Sequence, residues 1–270
     1  MVKISSDGNL GLQEGQKFER GGIYRFTVDV TKGNTKAVLT VEKVGKVDLP
    51  APDIFFGNSK MEVTDTDIYK SDQVFTRGQM ITVTGIDNLN EWWIDPDFFE
   101  KQSDGTLKFL PINGDYRVTA NGILKYFSVI ALKDGKPAKL QDDGTGAIWA
   151  IGKGIGKPSV TSSEVGWETG KALCLAQVAP KKYQLTLKAG ETLKTSGDWE
   201  AISFKFFYQN DWGGEFSNYA SNTLVEQLKL TGSGNLEMQD NKAFEEGGVY
   251  RFTIDVTNGN ANAILKLSLI

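Results

Sequence analysis

The chain contains an internal repeat, and this repeat limits the folds that the chain can adopt. Residues 8–41 and 234–267 align without gaps at a constant offset of 226, and 19 of the 34 paired positions are identical. Apolar and polar side chains alternate over residues 23–30 of the first copy. A period of two predicts a β-strand with one buried face. Each copy therefore predicts three strands: a short one, the alternating one, and a third after the turn that residues 32–34 form in the first copy.

Three strands with a single apolar face must complete a larger sheet. The sequence upstream of the second copy can supply that sheet, whereas only residues 1–7 precede the first copy. Two explanations remain open. Residues 1–46 are the tail of a preceding domain, or they pack on the next domain or exchange with another molecule.

The rest of the chain divides into two regions of short strands. Residues 47–52 contain two prolines and predict a stiff linker. Short apolar runs bounded by turn residues follow it, and no segment has a long helical period. One short helix is expected where Asp95 precedes Pro96, because aspartate caps helices and proline favours their first position. We predict an all-β fold of tandem immunoglobulin-like β-sandwich domains, with a strand segment at 1–46 and domains at 47–141 and 142–270.

Composition excludes several classes of function. The 34 acidic residues outnumber the 30 basic ones, giving a net charge of −4 without a basic block, so no nucleic-acid partner is predicted. The chain has no histidine, which removes the commonest general base and most zinc sites. Its one cysteine, Cys174, lies in an apolar run and is expected to be a buried hydrophobic residue. We predict no metal and no cofactor.

The region from residue 147 onward contains an ordered set of aromatic motifs. An apolar strand with Trp149 comes first, and then Gly166-Trp167, a strand with Tyr183, Phe204-Lys205-Phe206, and Trp212-Gly213-Gly214. This order resembles the glycan-binding domains of the SusE/SusF-like outer-membrane lipoproteins of Bacteroidetes polysaccharide-utilisation systems. The resemblance covers residues 147–270, and residues 53–140 are more loosely similar to the companion sandwich domains of such proteins.

The resemblance implies non-catalytic binding of an oligo- or polysaccharide at the bacterial cell surface. It assigns the aromatic platform to Trp167 and Trp212, and a hydrogen bond to a sugar hydroxyl to Lys205. Asn210 and Tyr208 are candidates for further polar contacts, and Trp199 is a candidate at the rim. Strand alternation puts Phe204 and Phe206 on one face, expected to be the core, with Lys205 and Phe207 on the other.

The resemblance also implies a location and partners. The family carries a secretion signal and a lipid-bearing cysteine, which this sequence lacks, so an outer-membrane anchor is expected only in a full-length form. Other outer-membrane components of a glycan-uptake system are expected partners. Which glycan is bound stays open.

Two tryptophans outside this region predict a possible second glycan site. Trp92 and Trp93 are adjacent, so in a strand one of them must face away from the core. Trp149, within an alternating apolar strand, is expected to be buried.

Two other functions remain open. The chain could be a structural or adhesive module whose tryptophans are packed. A glycoside hydrolase is less favoured, because it needs two carboxylates about 5–9 Å apart and nothing in the sequence brings such a pair together. No catalytic residue is therefore predicted. The functions differ in whether the faces of Trp167 and Trp212 are open to water.

Overall fold

The computed structural model describes residues 2–4, 10–12, 18–19, 21–47, 51–196 and 201–270. These residues form two units, an N-terminal unit, Met1–Pro52, and a C-terminal unit, Asp53–Ile270. Strands dominate both units, and the helices are single turns. The all-β prediction is confirmed.

The N-terminal unit consists of two antiparallel strand pairs in its described residues. Its elements are β1 (Val2–Ile4), β2 (Leu10–Leu12), β3 (Gly22–Asp29), a 3-10 turn at Asn34–Lys36, and β4 (Val38–Lys46). β1 pairs with β2, and β3 pairs with β4. The strand predicted over residues 23–30 is thus β3. At its end, the Asp29 carboxylate accepts a hydrogen bond from the Thr31 amide at 2.9 Å and stabilises the turn.

The first half of the C-terminal unit is built from short strands. They are β5 (Phe55–Phe56), β6 (Ser59–Lys60), β7 (Glu62–Asp65), β8 (Ile68–Phe75), β9 (Met80–Ile81), β10 (Val83–Thr84), β11 (Phe99–Lys101), β12 (Leu107–Phe109), β13 (Gly114–Asn121), β14 (Tyr126–Lys133) and β15 (Lys136–Pro137), with a 3-10 turn at Leu89–Glu91. The main sheet has the order β15-β14-β13-β8-β7, and two three-stranded sheets have the orders β10-β5-β6 and β11-β12-β9. Their apolar faces enclose a core, called here the first core, that contains Phe56, Phe75, Phe109 and Phe127.

The second half forms a six-stranded sheet and a five-stranded sheet. Its elements are β16 (Trp149–Gly156), α1 (Val160–Ser163), β17 (Glu164–Gly166), a 3-10 turn at Thr169–Lys171, β18 (Leu173–Cys174), β19 (Ala176–Ala179), β20 (Lys182–Lys188), β21 (Ser203–Phe207), β22 (Ser221–Thr223), β23 (Leu228–Leu230), β24 (Leu236–Met238), β25 (Val249–Asp255), a 3-10 turn at Asn260–Asn262, and β26 (Ile264–Leu269). One sheet has the order β17-β16-β21-β24-β23, with β18 also on β16, and the other has the order β19-β20-β25-β26-β22.

Both of these sheets contribute to a second core. Phe204 and Phe206 of β21 contact Phe252 of β25, with ring centroids 5.5 and 6.0 Å apart. The prediction that both phenylalanines lie on a core face is confirmed. Trp149 and Cys174 are buried, as predicted, and the Trp149 indole N–H donates to the Ala138 carbonyl at 3.0 Å.

A buried ionic cluster joins the two halves of the C-terminal unit. The Lys157 ammonium lies 2.7 Å from an Asp95 carboxylate oxygen and 3.3 Å from an Asp97 carboxylate oxygen. Asp97 also accepts hydrogen bonds from Gln184 and Thr186 of β20 at 2.6–2.7 Å. The helix expected at Asp95 is wrong, because residues 96–98 form a turn that leads into β11. The Asp95 side chain does cap that turn, accepting from the Asp97 amide at 3.1 Å.

One glycine of β16 allows its neighbours to approach closely. Gly152 pairs with Phe204 on one side and with Gly166 on the other. A Cβ atom on Gly152 would lie 2.3 Å from the Phe204 Cα, and its φ of 142° also disfavours other residues. Any side chain at position 152 would therefore clash with the backbone of β21.

Candidate functional site

Two tryptophans from separate loops come together at the surface of the C-terminal unit. The ring centroids of Trp167 and Trp212 are 6.3 Å apart, and their planes are inclined by 27°. Trp212 is 52% exposed, whereas Trp167 is half-buried and packs against the second core. We call these two residues the indole pair. The structure thus brings together the two residues to which the aromatic platform was assigned.

A buried phenylalanine lies beneath the indole pair. The Phe207 ring meets Trp212 edge-on, with centroids 6.0 Å apart and planes at 76°. Phe207 is 1% exposed, although it belongs to the face of β21 that points away from Phe204 and Phe206. Sequence alternation predicted that face but not the burial, because the covering ring of Trp212 comes from the following loop.

Hydrogen bonds within a short loop hold Trp212. The Tyr208 amide donates to the Gly214 carbonyl at 2.7 Å, which closes the loop that follows β21. Inside the loop, the Gln209 side-chain amide donates to the Trp212 carbonyl at 2.7 Å, and the Trp212 amide donates to the Asp211 carboxylate at 2.8 Å. These bonds therefore hold both the amide and the carbonyl of Trp212.

Trp167 follows directly after β17. Gly166 ends that strand with a φ of 57°, a left-handed conformation that glycine adopts without strain. The adjacent Glu164 carboxylate accepts from the Gly154 amide at 2.8 Å and from Lys194 at 3.0 Å. Burial raises the pKa of Glu164, but these two donors outweigh it and hold the pKa below its ordinary value. The carboxylate thus stays ionised and anchors the start of the Trp167 loop.

Lys205 lies on the same face of β21 as Phe207, two residues away. Its side chain is half-buried opposite Ile151 of β16. In the described part of the chain, its ammonium has no ion-pair partner. Asn210, also half-buried, lies in the Trp212 loop. Lys205 is thus two residues from Phe207, which contacts Trp212, and Asn210 is two residues from Trp212 in the sequence.

Two other predicted contacts differ from these. The Tyr208 ring packs edge-on against Phe216, with centroids 4.3 Å apart, and burial raises the pKa of its hydroxyl. The Tyr208 ring is therefore held by an internal contact. Trp199 lies outside the described residues.

Internal contacts occupy the rings of the predicted second glycan site. Trp92 is 8% exposed and stacks on Phe127 in the first core, with centroids 4.7 Å apart. The Trp93 indole N–H donates to the Glu191 carboxylate at 2.7 Å, and the Lys157 ammonium lies 5.8 Å from the Trp93 ring centroid. Trp93 therefore joins the halves of the C-terminal unit, and Trp92 and Trp93 form no open platform.

Two features of this site were not predictable from the sequence. The bond from Gln209 to the Trp212 carbonyl gave no signal, because a glutamine in a polar loop is ordinary and the bond depends on loop geometry. Phe207 was predicted to share a face with Lys205, but the burial of its ring depends on contacts that strand alternation does not show.

The fold and the site define an all-β chain with a tryptophan pair at its surface, carried by the segments that follow β17 and β21. More than half of the chain, residues 1–31 and 143–257, matches the family described as Domain of unknown function (DUF5121), and the chain belongs to this family. Residues 49–140 match a second family, Domain of unknown function (DUF5125). The comparison with curated proteins found no match.

Within the described residues, no helix has the length and apolar character needed to cross a membrane. The acidic and cysteine side chains of the same residues form no group of three or more that could hold a metal ion.

Proposed function

We propose that this protein binds a polysaccharide without catalysis, through the indole pair Trp167 and Trp212. The observation that carries the proposal is the exposure of Trp212, 52% accessible, beside the nearly parallel ring of Trp167. Exposed apolar residues that lie next to one another mark interaction sites more often than single ones do. The two rings come from different loops, and together they offer one aromatic surface to a ligand.

Carbohydrate is the ligand class that fits two such rings best. A sugar ring has an apolar C–H face and a polar edge, so it can stack on an indole and form hydrogen bonds around its rim. Lys205, which has no ion-pair partner in the described chain, supplies donors for a sugar hydroxyl. Asn210 can both donate and accept.

The finer description of the fold belongs to the same proposal. We infer tandem immunoglobulin-like β-sandwiches, one over residues 47–141 and one over 142–270, each with its own core. The order of the motifs from Trp149 to Trp212 resembles the SusE/SusF-like glycan-binding lipoproteins. On that resemblance, the protein works at the bacterial cell surface with other components of a glycan-uptake system, anchored by lipid in its full-length form.

Affinity at such a site is expected to be weak. Two stacked rings and a few hydrogen bonds correspond to a Kd on the order of 10–1000 μM. Weak sites become effective when one polymer engages several of them, because the first contact raises the effective concentration of the next.

Affinity electrophoresis tests the proposal. The full chain is run in native gels with and without soluble α-glucan, β-glucan and mannan, and at least one polymer is expected to retard it. Trp212→Ala should weaken binding to that polymer by at least about tenfold, which corresponds to a loss of about 1.4 kcal/mol of binding free energy. Trp212→Phe should keep part of it, and Val74→Ala, which alters an exposed apolar residue on β8, should have no effect.

The alternative function has a specific observation in its favour, the edge-on contact between Trp212 and buried Phe207. A structural or adhesive module would use the indole pair for packing. In that case Trp212→Ala and Trp167→Ala would lower the melting temperature substantially, and no polymer would retard the wild-type chain. Release of reducing sugar during long incubation would instead indicate a hydrolase.

A further inference from the structure

The two copies of the sequence repeat have the same local structure. β1 and β2 pair in the register that β23 and β24 adopt, since Val2 is opposite Leu12 and Leu228 is opposite Met238. β3 and β4 likewise match β25 and β26 at the offset of 226. The repeat in structure therefore begins at Val2, before the repeat in sequence becomes recognisable.

The details of the turns agree as well. Gly33 and Gly259 have φ values of 91° and 90°. The Thr31 and Thr257 amides each donate to an aspartate two residues earlier, both at 2.9 Å. Rings of Phe18 and Tyr24 are 4.6 Å apart, and the equivalent pair Phe244 and Tyr250 is 4.5 Å apart.

The copies differ in burial. Phe26, Val28 and Val30 are 49%, 61% and 51% exposed. Their equivalents Phe252, Ile254 and Val256 are each 0% exposed. Thus the face that forms part of the second core in one copy is open in the other.

The second copy identifies what covers this face. β25 pairs with β26 on one edge and with β20 on the other. The β20 pairing runs from Lys182 opposite Asp255 to Lys188 opposite Val249. β21 pairs with β24 and packs Phe204 against Phe252. In the described residues of the N-terminal unit, β3 pairs with β4 and β2 pairs with β1, so the equivalents of β20 and β21 are missing.

We propose that the N-terminal unit is the closing part of a second DUF5121-type domain, and that its open face and the free edge of β3 bind a domain body equivalent to residues 143–226. This body supplies one strand for β3 and another for β2, in the covalent order seen in the C-terminal copy. The family match is consistent with this, because its two segments end at Thr31 and Thr257, which are equivalent positions of the repeat. The inference does not depend on the proposed glycan binding.

A second copy of this chain is a poorer occupant. Its own body already holds β25 and β26, which are tethered to it and therefore present at a high effective concentration. A hairpin from another molecule would have to displace them.

A transplant within the full chain tests the proposal on a body that already folds. Residues 228–270 are replaced by residues 2–44, so that β3 and β4 stand where β25 and β26 stood. The chimera is expected to unfold cooperatively, and the transplanted β3 amides should exchange with solvent at least 100-fold more slowly than the same amides in the original chain. A Phe26→Asp chimera should lose that protection, whereas Phe26→Asp in the original chain should leave its melting temperature unchanged.

A second variant tests the covalent order. Residues 143–227 are added directly before Val2 of the full chain, and β3 should then become as protected as β25. The proposal is overturned if neither variant protects β3. It is also overturned if β3 of the original chain is already protected, whether in a monomer, where the hairpin packs on its own chain, or in a dimer, where a second copy covers it. Light scattering distinguishes these two cases.

Discussion

At the scale of single residues, the Lys157 ammonium is buried between the carboxylates of two aspartates. Taking three charges out of water is costly unless they are paired and hydrogen-bonded. Burial raises the pKa of Asp97, but the charge of Lys157 and the bonds from Gln184 and Thr186 outweigh it and lower the pKa. Burial also raises the pKa of Asp95, and there it prevails against the charge of Lys157. Asp97 therefore stays ionised to a lower pH than Asp95 does.

Asp97→Asn is expected to destabilise the protein by about 2–4 kcal/mol at pH 7, because Lys157 loses one of its two charged partners. A lowered carboxyl pKa contributes stability above the unfolded value of about 3.9, and this contribution is lost as the pH falls through the folded value. The difference between wild type and variant should therefore shrink between pH 5 and pH 3. Urea unfolding followed by circular dichroism at both pH values measures it.

The matched control is Asp115→Asn, which changes an exposed carboxylate on β13. It should change stability little at either pH. A constant difference in stability between wild type and Asp97→Asn across this range would contradict the prediction, because the ionisation of Asp97 would then contribute nothing to stability.

At this scale, the sequence predicts burial better than it predicts partners. Trp149 and Cys174 were placed correctly, because each lies in an apolar run and such runs are buried whatever the topology. Asp95 and Asp97 were interpreted as the start of a helix, a purely local signal. Their partner Lys157 is some 60 residues away, and no local pattern carries that contact.

Among the elements, the loop after β21 determines the orientation of Trp212. The Gln209 side chain bridges to the Trp212 carbonyl, while Gly213 and Gly214 have φ values of 84° and 71° that let the chain turn back. The loop is exposed, so its bonds contribute more to the order of the loop than to global stability.

Gln209→Ala is therefore expected to weaken polysaccharide binding about 3- to 10-fold, since ordering a freed loop on binding costs on the order of 1 kcal/mol. The melting temperature should stay within about 2 °C of wild type. Affinity electrophoresis and thermal unfolding of the same samples provide the two readouts. Ser217→Ala, an exposed change just beyond the loop, is the control, and equal retardation of both variants would show that the Gln209 bond is dispensable.

Strands were predictable where apolar and polar side chains alternate. Period-two alternation predicted β25, whose apolar face is buried, and β3, which has the same alternation although its apolar face is open. The parallel pairing of β22 with β26 had no such signal. β22 is three residues long and fully exposed, so its position depends on its partner and not on its own pattern.

At the scale of the whole molecule, the contacts between the two cores of the C-terminal unit were harder to predict than the cores themselves. The sequence predicted separate regions at 47–141 and 142–270, and the structure joins both in the unit Asp53–Ile270. Ala176 lies in the first core although β19 belongs to a sheet of the second half, and the Arg77 guanidinium donates to the Val178 carbonyl at 2.8 Å. Contacts of this kind depend on which surfaces meet, which no periodicity reveals.

We expect the C-terminal unit to unfold in one calorimetric transition, with equal calorimetric and van't Hoff enthalpies. Lys157→Met should lower the stability by about 3–5 kcal/mol, because it leaves two buried carboxylates unpaired. It should also broaden or split the transition, since the cluster joins the two cores. Differential scanning calorimetry of the full chain measures both effects.

Lys108→Met removes an exposed lysine that pairs with Glu100 on the neighbouring strand, and it should leave the transition unchanged. Two well-separated transitions in the wild-type chain would contradict the prediction, because the cores would then fold independently.

The close strand approach at Gly152 has a consequence for the proposed ligand selection. β17 and β21 pair with opposite edges of β16, so the backbone of one sheet carries the segments that lead to Trp167 and Trp212. A change of side-chain rotamer leaves that backbone spacing unchanged. If the indole pair binds a polymer as we propose, the repeat of the polymer has to match this spacing, and chain pitch would discriminate among glycans together with sugar identity.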